Sequence, residues 1–167
     1  MTMRISIIHG ISPKAALMTC IGIFSGIGGL GLLAYLTDLP WIMAPFGSSA
    51  VLIYYATNSP LAQPRNLIGS HIIAAIVAIT CVNLMGSTWY CMALSVMITT
   101  LLLAMTDTVH PPAGATALFI ALEGIDHYSF VFMPVTTGVL ILFLTAWLSS
   151  KIFPDLRPYP HRTEKTT

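Results

Sequence analysis

In this chain of 167 residues, 56% are apolar, only 8% are charged and the formal net charge is +1. That is roughly a third of the charge fraction of a soluble domain. It excludes a nucleic-acid partner held by a basic surface, and at ~100–200 residues per domain it leaves no room for a soluble catalytic module beside the apolar part.

Residues 1–14 carry Arg4, His9 and Lys14 ahead of a long apolar run. A signal peptide would have a shorter apolar core and a small-residue cleavage site. The segment is therefore expected to be a retained cytoplasmic N-terminus. Four runs, about residues 15–36, 67–85, 90–105 and 131–150, are near the ~20 residues that cross the hydrocarbon layer. The first contains Gly22, Gly26, Gly28, Gly29 and Gly31, close-packing residues for contacts between chain halves or between subunits. Cys20, Cys81 and Cys91 sit in apolar runs without CxxC spacing. They read as small buried residues, and neither disulfide nor metal is expected.

Two further apolar pieces, residues 40–58 and 107–122, are interrupted by Pro45-Phe46-Gly47 and His110-Pro111-Pro112-Ala113-Gly114. Each is expected to be an extended stretch leading into a short helix. At an offset of 67, Pro45-Phe46-Gly47-Ser48-Ser49-Ala50 lies on Pro112-Ala113-Gly114-Ala115-Thr116-Ala117, with Pro, Gly and Ala identical and Ser49 opposite Thr116. The same offset places the first span on the third and the second on the fourth. The expected fold is an all-α polytopic membrane protein of two helix, broken half-helix, helix repeats, about residues 15–85 and 88–152, expected to be inverted, within a membrane domain of residues 15–152. Residues 153–167, with three prolines, are expected to be a disordered cytoplasmic tail.

With six crossings, Arg4, Lys14, Arg65, Lys151, Arg157, Arg162 and Lys165 fall on one side, and Asp38, Glu123 and Asp126 on the other. This obeys the positive-inside rule and puts both termini in the cytoplasm, with a bacterial inner membrane as the simplest address. A re-entrant arrangement with four crossings moves only Arg65 across and stays open.

Paired broken segments in matching places of two halves point to a transporter site. A helix starting at Pro45 or Pro112 leaves the amides of residues 46–49 and 113–116 as donors, with Ser48, Ser49 and Thr116 adding hydroxyls. Two facing helix starts favour an anion. The expected substrate site is therefore Pro45, Phe46, Gly47, Ser48, Ser49, His110, Pro112, Ala113, Gly114, Ala115 and Thr116. His110 tunes its charge, or is a neutral histidine bonded to backbone. Asp107, His71 and Arg65 are candidates for proton handling or gating, against capping, interfacial and anchoring roles. Asn83 reads as interhelical glue.

On these residues the chain resembles the HPP family of integral membrane proteins, named for the triplet seen here as His110-Pro111-Pro112. The similarity extends to Ala44-Pro45-Phe46-Gly47-Ser48-Ser49-Ala50, to Ser59-Pro60-Leu61-Ala62-Gln63-Pro64-Arg65-Asn66, and to Gly69 and His71. It implies a small membrane protein, and members in cyanobacteria and plant plastids are associated with nitrite transport. The resulting expectation is a non-enzymatic transporter or channel for a small monovalent anion, nitrite first, in the lipid bilayer, without cofactor and with homo-oligomerisation open. The alternatives are an intramembrane metal, haem or quinone subunit using Asp107, His110 and His71, or a non-transporting scaffold.

Overall fold

A computed structural model describes residues 12–161, and among these all regular structure is helical. α1 spans Pro13–Thr37; the Ser12 hydroxyl accepts from the Ala15 N–H at 3.1 Å, and Pro13 takes the first turn, where its missing N–H is harmless. The helix stops at Asp38, whose left-handed backbone (φ 54°) lets its N–H bond the Ala34 carbonyl. An extended stretch ending at Met43 leads into α2, Ala44–Tyr55, and a 3₁₀ turn at Pro60–Ala62 precedes α3, Pro64–Met85.

α4, Trp89–Met105, starts at a Thr88 hydroxyl cap on the Cys91 N–H. His110 is extended (φ −144°, ψ 102°) because Pro111 follows it, and α5 runs Pro111–Glu123 to a left-handed Gly124. Val131–Thr136 forms wide π turns broken at Met133 beside Pro134, and continues into α6, Thr137–Ile152. Three of these pieces, Pro13–Thr37, Pro64–Met85 and Val131–Ile152, are long and apolar enough to cross a membrane; Trp89–Met105 is apolar but shorter.

The helices pack as two clusters. α1, α2 and α6 touch one another, as do α3, α4 and α5, and the clusters meet along α2 with α5 and α3 with α6. Side chains buried at these junctions include Leu30, Phe46, Ile53, Leu67, Ile79, Ile120 and Leu142. The Gly22/Gly26 pair serves contacts within the chain. A Cβ on Gly22 would strike the Tyr54 ring of α2, and one on Gly26 would lie 3.3 Å from Leu142 of α6.

Successive helices run back and forth between two ends. At one end Lys14 meets Asp155 at 2.8 Å, and the Tyr159 hydroxyl donates to the Ala62 carbonyl at 2.8 Å. At the other end Asn83 donates to the Asp126 carbonyl, and the Ser87 hydroxyl to that of Ala121. The expected disorder from residue 153 onward is corrected for residues 153–161. Tyr159 is buried against Phe143, and the His161 N–H donates to Gln63 Oε1, because the aromatic ring gains an apolar seat that the tail's prolines do not forbid. Arg4, His9, Arg162 and Lys165 lie outside the described residues.

Candidate functional site

α2 and α5 begin one residue earlier than the prolines predict, and their starts are poor in free donors. Pro111 and Pro112 have no N–H, and the Ala113 N–H donates to the His110 carbonyl at 2.9 Å. In α2, Pro45 lacks an N–H and the Phe46 N–H donates to the Met43 carbonyl at 2.9 Å. The amides expected to be free at 46 and 113 are thus engaged, since a tight first turn supplies them with carbonyls.

The faces of these helices differ. Gly47, Ser48 and Ala115 point outward, whereas Pro45, Phe46, Ser49, Pro112, Ala113 and Thr116 are buried. A Cβ on Gly47 would meet open space and one on Gly114 only Val96 of α4, so the two glycines do not flank a common gap. The Ser48 hydroxyl donates to its own helix, at the Pro45 carbonyl.

What converges is a line of four buried side chains. Ser49 Oγ lies 2.9 Å from His71 Nε2 and 3.0 Å from His110 Nε2. On its other edge His71 Nδ1 is 2.7 Å from Thr116 Oγ1, and His110 Nδ1 is 2.8 Å from the Leu61 carbonyl. All four side chains have 0% exposure, and the imidazole centroids are 5.3 Å apart. They come from α2, α3, the residue before α5, and α5 itself, so the line sits where the two clusters join. Phe46 closes it, its ring edge-on to His71 at 5.9 Å.

The Leu61 carbonyl can only accept, and it therefore fixes every hydrogen in the line for neutral imidazoles. His110 Nδ1–H donates to Leu61, so His110 Nε2 accepts from the Ser49 hydroxyl. Ser49 Oγ then accepts from His71 Nε2–H, and His71 Nδ1 accepts from the Thr116 hydroxyl. Each of these ring nitrogens has one partner and the chain of donors has a single direction. Saturation of this kind is what burial demands of polar groups.

The other expected residues surround this line without joining it. Asp107 is turned out to solvent at 94% side-chain exposure, with a left-handed backbone (φ 53°), and faces Arg65 at 3.8 Å. Arg65 also donates to the Thr106 carbonyl, and Asn66 to that of Val109, pinning the approach to His110 from the start of α3. Asp107 therefore does not share a ligand sphere with His71 and His110, and among the described residues no group of three or more His, Cys, Asp or Glu is placed to hold a metal.

Leu61 and Tyr159 are contributors that sequence reasoning did not find: one acts through its backbone, and the other lies in a segment whose prolines and charges suggested disorder. Burial pushes the Tyr159 phenol above its ordinary pKa, so it remains a donor to Ala62. A cavity of about 280 Å³ lies between α4 and the start of α5, lined by Thr100, Leu103, Val109, His110, Pro111 and Gly114.

The family described as HPP, transmembrane region, matches residues 8–160. Two transmembrane proteins of Dictyostelium discoideum are similar: one is 35% identical, over 85% of this chain and 53% of its own length, and the other 36%, over 82% and 47%. The chain spans about half the length of these relatives. No solved structure matches.

Proposed function

This chain belongs to the HPP transmembrane family and is an integral membrane protein, and on that premise we propose that it is a transporter or channel for a small monovalent anion, with nitrite first. The observation that carries the proposal is the Ser49–His71–His110–Thr116 line buried where the two broken segments meet. Ionisable residues inside a membrane bundle are costly and mark pathways. Nitrite itself rests on the family resemblance.

Six crossings in two inverted repeats are part of the proposal. Under the 67-residue offset α1 corresponds to α4, α2 to α5 and α3 to α6, and the packing is reciprocal: α1 with α2 answers α4 with α5, α1 with α6 answers α4 with α3, and α2 with α6 answers α5 with α3. Ser49 and Thr116, paired by the same offset, bond opposite edges of His71. The basic Lys14, Arg65, Lys151 and Arg157 belong to the end carrying the tail, which supports a cytoplasmic tail and, in a bacterium, an inner-membrane address.

The quartet is closed and self-satisfied, a conformation that also suits a scaffold whose polar residues only lock helices together. Nitrite uptake into liposomes holding the purified protein separates the two. Transport predicts uptake above that of empty liposomes and its loss in the His71→Ala variant. Uptake equal to empty liposomes, with the protein folded, overturns nitrite transport and favours the scaffold.

A further inference from the structure

Resting on the anion-transport reading, we propose that the quartet takes its anion only together with one proton, so that transport is electroneutral proton–anion symport. The reason is the saturated hydrogen bonding. In the neutral line the Thr116, Ser49 and His71 donors and the His110 Nδ1–H are all engaged. An anion entering alone could recruit the Ser49 hydroxyl and His71 Nε2–H, but it would face the bare lone pair of His110 Nε2.

One added proton reverses that contact. Placed on His110 Nε2, it turns that nitrogen into a donor and releases the Ser49 hydroxyl hydrogen, so that neighbouring atoms of the line, His71 Nε2, His110 Nε2 and Ser49 Oγ, all carry hydrogens that a guest can accept. His110 stays anchored through Nδ1 to Leu61, so the imidazolium is held where its charge opposes that of the guest. The proton is bound from the side that supplies the anion and released with it on the other side; no bond within the anion changes.

Among the described residues no other charge is at hand to do this. α2, the Pro60–Ala62 turn and α4 contain no Asp, Glu, Lys or Arg, and in α5 the one such residue is Glu123, at the far end. Arg65 of α3 and Asp107, ahead of His110, are exposed and face each other. The titratable side chains facing the pair are the two histidines themselves, with the Phe46 ring covering His71. A lone anion here would be an uncompensated buried charge, whereas an anion with an imidazolium is a neutral pair. A cavity lies beside His110, the residue that gains the proton.

The test uses the full chain in liposomes with a pH dye entrapped, nitrite as the probe, and the uptake of empty liposomes subtracted to remove permeating nitrous acid. One proton should enter with each nitrite, at a rate indifferent to a potassium–valinomycin potential. Uptake that carries charge, follows the potential and leaves the lumen pH unchanged would overturn symport while leaving anion transport standing. Absence of uptake would remove both. His110→Asn, whose side-chain amide nitrogen takes the place of Nδ1 and so keeps a donor for Leu61 but cannot take a proton, should lose uptake while retaining a native size-exclusion profile. Full proton-coupled uptake by that variant would overturn the assignment to His110.

Discussion

Ser49 occupies a position that no other side chain in the site can replace, because its single hydroxyl is donor to one histidine and acceptor from the other. Ser49→Ala leaves two buried ring nitrogens without partners, whereas Thr116→Val leaves one. Orphaned buried polar groups cost about 1–3 kcal/mol each, at the lower end for hydroxyl bonds within membranes. Ser49→Ala should therefore destabilise the protein by about 2 kcal/mol and Thr116→Val by about 1 kcal/mol in denaturant titrations in detergent. Equal losses would contradict a Ser49 hydroxyl shared between both histidines. The residue types of this site were legible in the chain: His in an apolar run and Ser or Thr after a Pro-x-Gly start both announce themselves. Their partnership was not, since residues 49, 71, 110 and 116 meet only through packing, and Leu61 contributes a carbonyl that every residue possesses.

The broken segments draw their shape from proline and glycine, yet the glycines that matter for packing are not all the ones in the motifs. Gly138 of α6 lies against Phe46 of α2, where an added Cβ would come within 2.5 Å of the ring. Gly138→Ala should cost about 1–3 kcal/mol through overpacking. Gly47 meets nothing within 4 Å, and Gly47→Ala should be neutral or stabilise its helix by up to about 1 kcal/mol. Thermal unfolding of the two variants in one detergent checks the contrast; a larger loss at Gly47 would mean that α2 carries a partner on its outer face. The long helices could be placed from apolar run length to within a few residues, because one face or another of each meets an apolar environment throughout. The helix starts were harder to read, since a first turn that wraps back onto the Met43 or His110 carbonyl uses up the donors that a proline seems to leave free.

Across the whole molecule the tail ties the helix ends together. Tyr159, Asp155 and the His161 amide reach Ala62, Lys14 and Gln63, and Ala62 adjoins the carbonyl that anchors His110. Tyr159→Phe should reduce stability by about 1 kcal/mol, the scale of one buried hydrogen bond, as read from denaturant midpoints. A tyrosine whose folded pKa lies above its unfolded value of about 10 withdraws stability as pH climbs past that value. Docking of the tail should therefore be intact at neutral pH and weaken in alkali, with the phenolate absorbance step that Tyr159→Phe removes lying above the ordinary tyrosine range. A step within that range would show the ring to be solvated. Membrane residence, helical class, the Pro-x-Gly breaks and the polar residues set in apolar runs were determined by composition and local pattern, because hydrocarbon forces runs of apolar residues into helices whatever surrounds them. Which donors stay free, which histidine edge meets which hydroxyl, that Asp107 turns away and that the tail is pinned were decided only by tertiary structure, because each depends on residues dozens of positions apart satisfying one another's buried polar atoms.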